Sequence, residues 1–158
     1  MGCGPSNDTL VSIPLLPGWT GPTTGKLKIN VHEARFAKDV ESFGTQDPYV
    51  KIKARMQEFK TKTHTDGGIN PKWEEVFEID VKYIGDDVEF FFMNENSMTD
   101  HDNIGHLKCK MTALCANKGV DDWWAMQVKG KEVGKIHIST NWIPDDIVKA
   151  GSEAAAPA

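Results

Sequence analysis

Hydrophobic and polar residues alternate with period two along most of this chain, beginning near residue 26. In the first such segment Leu27, Ile29 and Val31 are separated by polar residues, a pattern typical of a strand with one buried face. Similar patterns predict seven further strands: Asp47–Lys53, Glu58–Thr63, Trp73–Val81, Val88–Asn94, Ile104–Met111, Trp124–Val128 and Gly134–Trp142. A helical pattern is limited to Met111–Asn117. The chain is therefore predicted to be almost entirely β.

The spacing of these segments indicates a single folded unit. Many short strands separated by turn signals are typical of an antiparallel sandwich or barrel. We predict an all-β, eight-stranded antiparallel Greek-key β-sandwich over residues 25–145. Residues 1–24, which contain several prolines and glycines, are predicted to be a tether. Residues 146–158 are mostly small and are predicted to be a disordered tail.

Charge is distributed unevenly along the chain, although the net charge is only −5. Residues 85–102 hold six acids and no Lys or Arg, whereas residues 48–65 hold one acid, Glu58, and five basic residues. The basic residues are Lys51, Lys53, Arg55, Lys60 and Lys62. Charges segregated in this way usually form separate surfaces. The small negative total gives no reason to expect nucleic acid as a partner.

Four of the basic residues are predicted to share one surface. Side chains of a strand alternate between its faces, so Lys51 and Lys53 lie on one face of their strand, and Lys60 and Lys62 repeat the arrangement on the next. Pooled ammonium groups repel one another, and an anionic partner relieves that repulsion. The alternative is a solvated strand face whose lysines only deter edge-to-edge pairing.

The first six residues, Met-Gly-Cys-Gly-Pro-Ser, fit the N-myristoylation pattern. Removal of Met1 exposes the amine of Gly2, and the adjacent Cys3 is a candidate for palmitoylation. A single myristoyl chain binds membranes only marginally, whereas two acyl chains give a stable anchor. We therefore predict acylation at both Gly2 and Cys3, and a peripheral location on the inner leaflet of a membrane.

The remaining composition points to the cytoplasmic side of that membrane. Three cysteines, Cys3, Cys109 and Cys115, are too few and too irregularly spaced for a disulfide framework, which favours a reducing compartment. No segment approaches the ~18 consecutive apolar residues of a spanning helix. No catalytic motif is evident, so the chain is predicted not to be an enzyme.

Five motifs occur in a fixed order along the chain: Leu27–Arg35, Gly44–Lys51, Lys60–Thr63, Asn70–Phe77 and Asp102–Gly105. In this order and spacing the chain resembles the C2 domains, which are membrane-targeting β-sandwiches, over roughly residues 25–143. That family has two circularly permuted topologies. The first strand here leads directly into the Asp39–Asp47 loop and a strand near Gly134 closes the chain, which resembles the type II variant.

The resemblance implies a calcium site at one end of the sandwich. In calcium-binding C2 domains two loops supply about five aspartates, which suit a hard cation that prefers oxygen ligands. The matching positions here are Asp47 and Asp102, with Glu41 in place of one aspartate and Asn94 and Asn96 in place of two. Asp39 and Asp100 are possible additional ligands. Since two carboxylates are replaced by neutral amides, we expect calcium binding to be weak or absent.

The resemblance also implies what the four lysines bind. In C2 domains the corresponding positions, with the tyrosine matched by Tyr49, line a basic groove for phosphoinositides and other acidic phospholipids. The sequence therefore predicts a membrane-anchored adaptor that binds anionic phospholipids with little calcium dependence. Two alternatives stay open: an interaction scaffold for an unidentified protein, located by acylation alone, and a conventional calcium-dependent phospholipid binder.

Overall fold

The computed structural model of the protein describes residues 21–38, 45–95 and 102–145. Its elements, in chain order, are β1 (Gly25–Phe36), β2 (Pro48–Ala54), β3 (Gln57–Lys60), β4 (Lys72–Val81), β5 (Asp87–Asn94), β6 (Asp102–Lys110), α1 (Met111–Cys115), a 3-10 turn (Ala116–Lys118), β7 (Asp121–Val128) and β8 (Lys131–Pro144). The predicted count of eight strands is confirmed.

All strand pairs are antiparallel, in the order β3-β2-β5-β6-β7-β8-β1-β4. Within the described residues β6 and β7 are joined by the single pair His106–Gln127, so the strands divide into two layers. We call β3-β2-β5-β6 the first sheet and β7-β8-β1-β4 the second sheet. The closing strand β8 pairs along all of β1, from Gly25 opposite Pro144 to Phe36 opposite Gly134. The predicted sandwich is confirmed, and its closing strand lies beside the first.

The core lies between the two sheets and is built from the alternate residues of each strand. Leu27 and Ile29 of β1 are fully buried and face Ile52 of β2 and Phe90 and Phe92 of β5 across the interior. Each such side chain contributes roughly 1.5–3 kcal/mol when it is removed from water. The residues between them point outward, so each sheet also presents an outer face of polar side chains.

Strand β3 ends earlier than the predicted Glu58–Thr63, because at its end a side-chain hydroxyl replaces a backbone carbonyl as hydrogen-bond acceptor. The N–H of Thr61 still donates to the carbonyl of Val50 (2.9 Å). The return bond from the N–H of Val50 goes to the Thr61 hydroxyl (2.9 Å) instead of a backbone carbonyl. The ladder therefore ends there, and the chain leaves the sheet towards β4.

The gap between the edge strands β3 and β4 is closed by side chains. The amide of Gln57 donates to the carbonyl of Asp80 (2.6 Å) and accepts from its N–H (2.9 Å). The rings of Phe59 and Phe77 lie 5.8 Å apart between the same strands. The Gln57 amide thus makes the two hydrogen bonds to β4 that the backbone of a neighbouring strand would make, and it joins the two sheets at their open side.

Candidate functional site

The four lysines predicted to act together lie on the outer face of the first sheet or at its end. Lys51 of β2 is paired directly with Lys60 of β3, so their side chains are neighbours on the same face. On the opposite face of β2, Val50 and Ile52 are completely buried. Burial of that apolar side fixes the register and forces the lysines outward. We call Lys51, Lys53, Lys60 and Lys62 the lysine face.

Aromatic rings lie beneath two of these ammonium groups. Lys60 Nζ lies 5.0 Å from the centroid of the Tyr49 ring, and Lys51 Nζ lies 5.6 Å from that of Phe91. Cation–π contacts of this kind are worth about 0.5–1 kcal/mol at exposed sites. Tyr49 is only 5% exposed, and burial, together with the charge of Glu95, raises its pKa above the ordinary value. It therefore stays a neutral phenol under the lysines.

None of the four lysines forms an ion pair with any residue in the described part of the chain. The remaining basic residue of the segment behaves differently. Arg55 donates to both carboxylate oxygens of Asp86, at 2.7 and 3.0 Å, and this carboxylate is almost buried. The five basic residues therefore divide into one arginine in an ion pair and four lysines that have no ion pair among the described residues.

The lysine face also contains acidic neighbours that sequence reasoning missed. Lys53 is paired with Glu58 on β3 and with Glu89 on β5. The Glu89 carboxylate is held by His106, whose Nε2 lies 2.9 Å from it. Lys53 therefore has two glutamates as cross-strand neighbours, whereas Lys51 has Lys60 and Phe91.

Lys62 lies beyond the end of β3 instead of continuing its alternation. Its backbone N–H donates to the carboxylate of Glu75 at 2.8 Å, which fixes the chain as it crosses towards β4. The structure thus brings Lys51, Lys53 and Lys60 together on the sheet and places Lys62 at the margin of that surface.

Three of the predicted calcium ligands meet at one end of the sandwich, which we call the tip. Asn94 is paired with Asp102 at the ends of β5 and β6, and Asp47 precedes β2 at the same end. The other four candidates, Glu41, Asn96, Asp39 and Asp100, lie outside the described residues. Strand pairing alone therefore brings residues from three distant parts of the sequence to one place.

At the tip, two of the three candidate calcium ligands already accept hydrogen bonds from backbone N–H groups. Asn94 is fully buried, and its Oδ1 accepts from the N–H of Asp47 at 2.7 Å. Asp47 Oδ1 accepts from the N–H of Asp66, also at 2.7 Å. Within the described residues no group of three His, Cys, Asp or Glu side chains is arranged to hold a metal ion. The carboxylate oxygens of Asp47 and Asp102 are the kind of ligand that calcium prefers, but a calcium ion needs more oxygen ligands than these two residues supply.

Glu95 points away from this cluster, as strand alternation predicts. Its carboxylate accepts a hydrogen bond from the Thr63 hydroxyl, and its N–H donates to the carbonyl of Asp47 at 2.9 Å. Its charge lies near Tyr49 instead of at the tip. The backbone of Glu95 therefore stabilises the tip while its side chain faces the edge of the lysine face.

The predicted acylation sites Gly2 and Cys3 lie outside the described residues. Among the residues that the structure covers, no helix is both long enough and apolar enough to cross a membrane.

Comparison with known proteins identifies the fold family. The family model of the C2 domain matches residues 25–126, which is more than half of the chain. Human extended synaptotagmin-3 is 28% identical over 124 residues, which cover 75% of this chain and 14% of that protein. The chain thus spans only a small part of that relative's length.

Solved structures agree with this assignment. A C2 domain of plant extended synaptotagmin 1 matches with a TM-score of 0.71 and 20% identity, covering 80% of this chain and 99% of that one. The calcium-bound pair of C2 domains of extended synaptotagmin 2 matches with a TM-score of 0.68 and 23% identity, covering 79% of this chain and 48% of that one. At these identities the likeness shows the fold.

Proposed function

This chain belongs to the C2 domain family, and we propose that it binds the anionic phospholipids of a membrane surface through the lysine face. The observation that carries the proposal is the pairing of Lys51 with Lys60 with no carboxylate in ion-pair contact among the described residues. Like charges placed directly opposite each other on a sheet destabilise it. A fold that keeps such a pair on its surface gains most from an anionic ligand that lies across both.

The surroundings of the two lysines support a lipid ligand. Tyr49 and Phe91 give the face an aromatic floor under the ammonium groups, and Met93 is paired with Tyr49 on the same side of the sheet. A basic residue near an anionic leaflet contributes about 1 kcal/mol, and the effect is screened within a Debye length. Four lysines therefore supply up to about 4 kcal/mol of salt-sensitive affinity.

The experiment is co-sedimentation of the full chain, made without acyl chains, with phosphatidylcholine vesicles that contain or lack phosphatidylserine or phosphoinositide. The test variant carries Lys51→Gln, Lys53→Gln, Lys60→Gln and Lys62→Gln. The matched control changes four exposed lysines elsewhere: Lys28→Gln, Lys72→Gln, Lys118→Asn and Lys135→Gln.

We expect the wild type to bind only anionic vesicles and the test variant to bind at least about a hundredfold more weakly. The control variant should bind nearly as well as the wild type. Equal losses in both variants would show a response to net charge alone. Failure of the wild type to bind anionic vesicles would overturn the proposal and leave the protein-scaffold role.

Calcium is proposed to act weakly or not at all in this binding. Asn94 supplies a neutral amide whose oxygen already accepts the Asp47 N–H, so the described part of the tip presents few free carboxylates. The test is a calcium titration followed by amide NMR. Small, unsaturated shifts around Asp47 and Asp102 would support this; saturable shifts with a large rise in vesicle binding would make calcium a primary ligand.

Acylation at Gly2 and Cys3 is proposed to hold the domain at the cytoplasmic face of the membrane, where the lysine face adds headgroup selectivity. The support is the sequence pattern of the first six residues. Mass spectrometry of the protein from eukaryotic cells should show a myristoyl group at Gly2 and a hydroxylamine-sensitive acyl group at Cys3. Gly2→Ala should abolish the first and release the protein from membranes.

A further inference from the structure

Three side chains on the outer face of the second sheet form a continuous hydrogen-bonded chain. They are Glu74 of β4, His32 of β1 and Ser139 of β8. His32 Nδ1 lies 2.6 Å from a carboxylate oxygen of Glu74, and His32 Nε2 lies 2.7 Å from the Ser139 hydroxyl oxygen. The two partners are 42 and 107 positions away from His32 in the sequence, so no local motif predicts the cluster.

The chemistry of the three groups fixes the direction of both hydrogen bonds. A carboxylate only accepts hydrogen bonds, so the Nδ1–H of His32 donates to Glu74. In a neutral imidazole the other ring nitrogen is an acceptor, and the Ser139 hydroxyl therefore donates to Nε2. A nucleophile, a base within hydrogen-bond reach and a third group that orients the base are together the geometric signature of an activated nucleophile.

The backbone departs from regular strand geometry at the residues that make this contact. Against β8 the extra residue of a β-bulge is His32 itself, since Val31 and Glu33 face consecutive residues of that strand. Against β4 the extra residue lies on β4, where Glu74 has a left-handed backbone with φ of 49°. Bulges that re-aim a side chain, and non-glycine residues with such φ values, occur preferentially at functional sites.

Stacking keeps the imidazole of His32 in this orientation. Its ring lies 4.4 Å from that of His137, with an angle of 23° between the planes. His137 is held in turn by the Trp123 ring at 5.1 Å and by the Asp121 carboxylate at 2.6 Å. The His32 side chain is only 19% exposed, whereas Ser139 is half-buried. The base is therefore fixed beneath a hydroxyl that solvent can reach.

The surface around Ser139 can accommodate an ester. Ser139 lies directly opposite Asn30 of β1, which lies opposite Val76 of β4, and Val76 offers an apolar side chain that is 58% exposed. Lys28, two positions before Asn30 on the same face, is exposed and forms no ion pair among the described residues. It is a diagonal neighbour of Ser139, within reach of a long side chain, so its ammonium group can lie beside a carbonyl oxygen there.

An unpaired buried atom beside Ser139 also points to a ligand. The Oδ1 of Asn30 is buried and has no hydrogen-bond partner in the part of the chain that the structure describes. Buried polar atoms in folded proteins nearly always have a partner. A molecule bound over Ser139 that carries an O–H or N–H group would supply one.

We propose that Ser139 is an activated nucleophile that accepts the acyl group of a carboxylic ester. Its Oγ attacks the carbonyl carbon and its proton passes to Nε2 of His32, while the carbonyl oxygen becomes negative beside the Lys28 ammonium group. When the bond to the leaving oxygen breaks, that oxygen takes the proton from His32 and departs as an alcohol, and the acyl group stays on Ser139. Glu74 positions the imidazole. This reactivity does not depend on membrane binding by the lysine face.

The first test is covalent labelling of the full chain with a fluorophosphonate probe, followed by mass spectrometry of its peptides. Attack by the serine forms an O–P bond, and the P–F bond breaks with release of fluoride and the serine proton. The variants are Ser139→Ala and His32→Gln. The matched control is His106→Gln, because His106 also pairs with a glutamate, Glu89 at 2.9 Å, but with no hydroxyl group among the described residues. Near-ultraviolet circular dichroism checks that each variant folds.

We expect the wild type to carry one label, on Ser139, and Ser139→Ala to carry none. His32→Gln should be labelled at least about tenfold more slowly, since a general base contributes about 10²–10⁴ in rate, and His106→Gln should react like the wild type. An unlabelled wild type, a label that persists in Ser139→Ala, or equal rates for the wild type and His32→Gln would each overturn the proposal.

The second test uses an ester, p-nitrophenyl acetate. Release of nitrophenol should be accompanied by an acetyl group on Ser139, and a protein without that group would overturn the proposal. Lys28→Gln should slow the release by about tenfold, because it removes the cation beside the developing negative charge. Lys135→Gln removes the same charge elsewhere on the second sheet and should slow it less than about twofold. Equal slowing by both variants would overturn the role of Lys28.

Glu74 acts through His32, so its test observes the imidazole directly. Glu74→Gln should slow fluorophosphonate labelling by about tenfold, because the correct tautomer is no longer fixed. The ¹⁵N signals of the His32 ring should change from the Nδ1-protonated tautomer to a mixture of both. Glu78→Gln, at an exposed position of the same strand, is the control and should change neither. Slower labelling with an unchanged tautomer would overturn the positioning role of Glu74.

Discussion

The lysine face and the outer face of the second sheet arrange their cations differently, although ion pairs also occur elsewhere on the first sheet, where Lys108 and Lys110 contact Asp87. On the first sheet, Lys51 and Lys60 face each other and pair with no carboxylate of the described residues. On the second sheet Lys26 and Lys82 both contact Asp80, at 3.3 and 2.7 Å. Hydrogen bonds from these two lysines, Lys82 first, lower the pKa of Asp80.

The outer face of the second sheet, which we call the second face, also contains a column of stacked planar side-chain groups. The guanidinium of Arg35 lies 4.5 Å from the Trp123 ring, Trp123 stacks on His137 at 5.1 Å, and His137 stacks on His32 at 4.4 Å. The two imidazoles are held at their edges by carboxylates: His32 contacts Glu74 and His137 contacts Asp121, each at 2.6 Å. Strands β1, β4, β7 and β8 all contribute to the column.

The difference lies in how many cations are grouped without an ion pair. The second sheet also has a directly opposed pair of cations, Arg35 and Lys135, and cations lie over rings on both sheets. The lysine face groups four lysines, none of which forms an ion pair with a described residue, and this grouping costs stability at low salt. A surface that retains such a cost is a candidate for binding an anion.

The largest expected effect comes from Arg55, the one basic residue of the segment 48–65 that forms an ion pair among the described residues. Arg55→Gln leaves the nearly buried Asp86 carboxylate without its two guanidinium bonds, and loss of one partner of such a pair costs about 3 kcal/mol. Urea unfolding should show that decrease, whereas Lys53→Gln, two residues earlier, should change the free energy of unfolding by less than about 0.5 kcal/mol. Equal effects would mean that the arginine is not structural.

The stacked column should give the next largest effect. Trp123→Ala removes the ring between Arg35 and His137, and we expect a loss of about 1–2 kcal/mol in unfolding free energy. A double-mutant cycle with Arg35→Ala should give a coupling energy of about 0.5–1 kcal/mol. A coupling near zero would show that the two faces do not differ in how tightly their cations are held.

At the open side of the sandwich, Gln57→Ala should cost about 1 kcal/mol, because two backbone groups of Asp80 lose their partner. Hydrogen exchange of the Asp80 amide should accelerate more than that of Ile79, which is fully buried. Gln127→Ala, at an exposed position of β7, is the control and should leave stability nearly unchanged.

Neutralising one lysine of the opposed pair should have a smaller effect that depends on salt. Lys51→Gln or Lys60→Gln relieves the repulsion between the two cations and also removes a cation–π contact, so the repulsion is seen in the salt dependence: relative to the wild type, the stability of the variant should be up to about 0.5 kcal/mol higher at low salt than at high salt. Lys26→Gln removes a contact with Asp80 and should show the opposite salt dependence. A stability change at Lys51 that is the same at low and high salt would show that the opposed lysines do not repel each other measurably.

The core thiols set the pH range in which these comparisons hold. Burial, with the neighbouring Asp87, raises the pKa of Cys109 to about 12 from an ordinary 9.0, and burial raises the pKa of Cys115 to about 12. Unfolded thiols ionise first, so the folded state loses stability as pH rises from about 9 to about 12. We expect no effect at neutral pH, and slow iodoacetamide labelling of both residues until the protein unfolds.

Much of the fold follows from local pattern. Alternation placed β1 and β5 correctly because each has one fully buried face, and the short β2–β3 hairpin made it possible to predict that Lys51 and Lys60 share a surface. The end of β3 was predicted wrongly, since no pattern reveals that the Thr61 hydroxyl takes the place of a backbone carbonyl.

The candidate site was less accessible to sequence reasoning because its contacts link distant residues. In the sequence, Arg55 looks like the four lysines around it. Its ion-pair partner, Asp86, is 31 residues away, so no local pattern reveals the pair. Asn94 was predicted as a possible calcium ligand, and only the structure shows that its side-chain oxygen accepts a hydrogen bond from the Asp47 N–H.

The amide of Gln57 has one further consequence. By bonding both the N–H and the carbonyl of Asp80, it occupies backbone groups of β4 that a strand from another chain would need. Edge strands with free backbone groups are the usual sites of strand addition and domain swapping. A protein partner of this domain would therefore be expected to bind a face or the tip, and not to extend the sheet at this side.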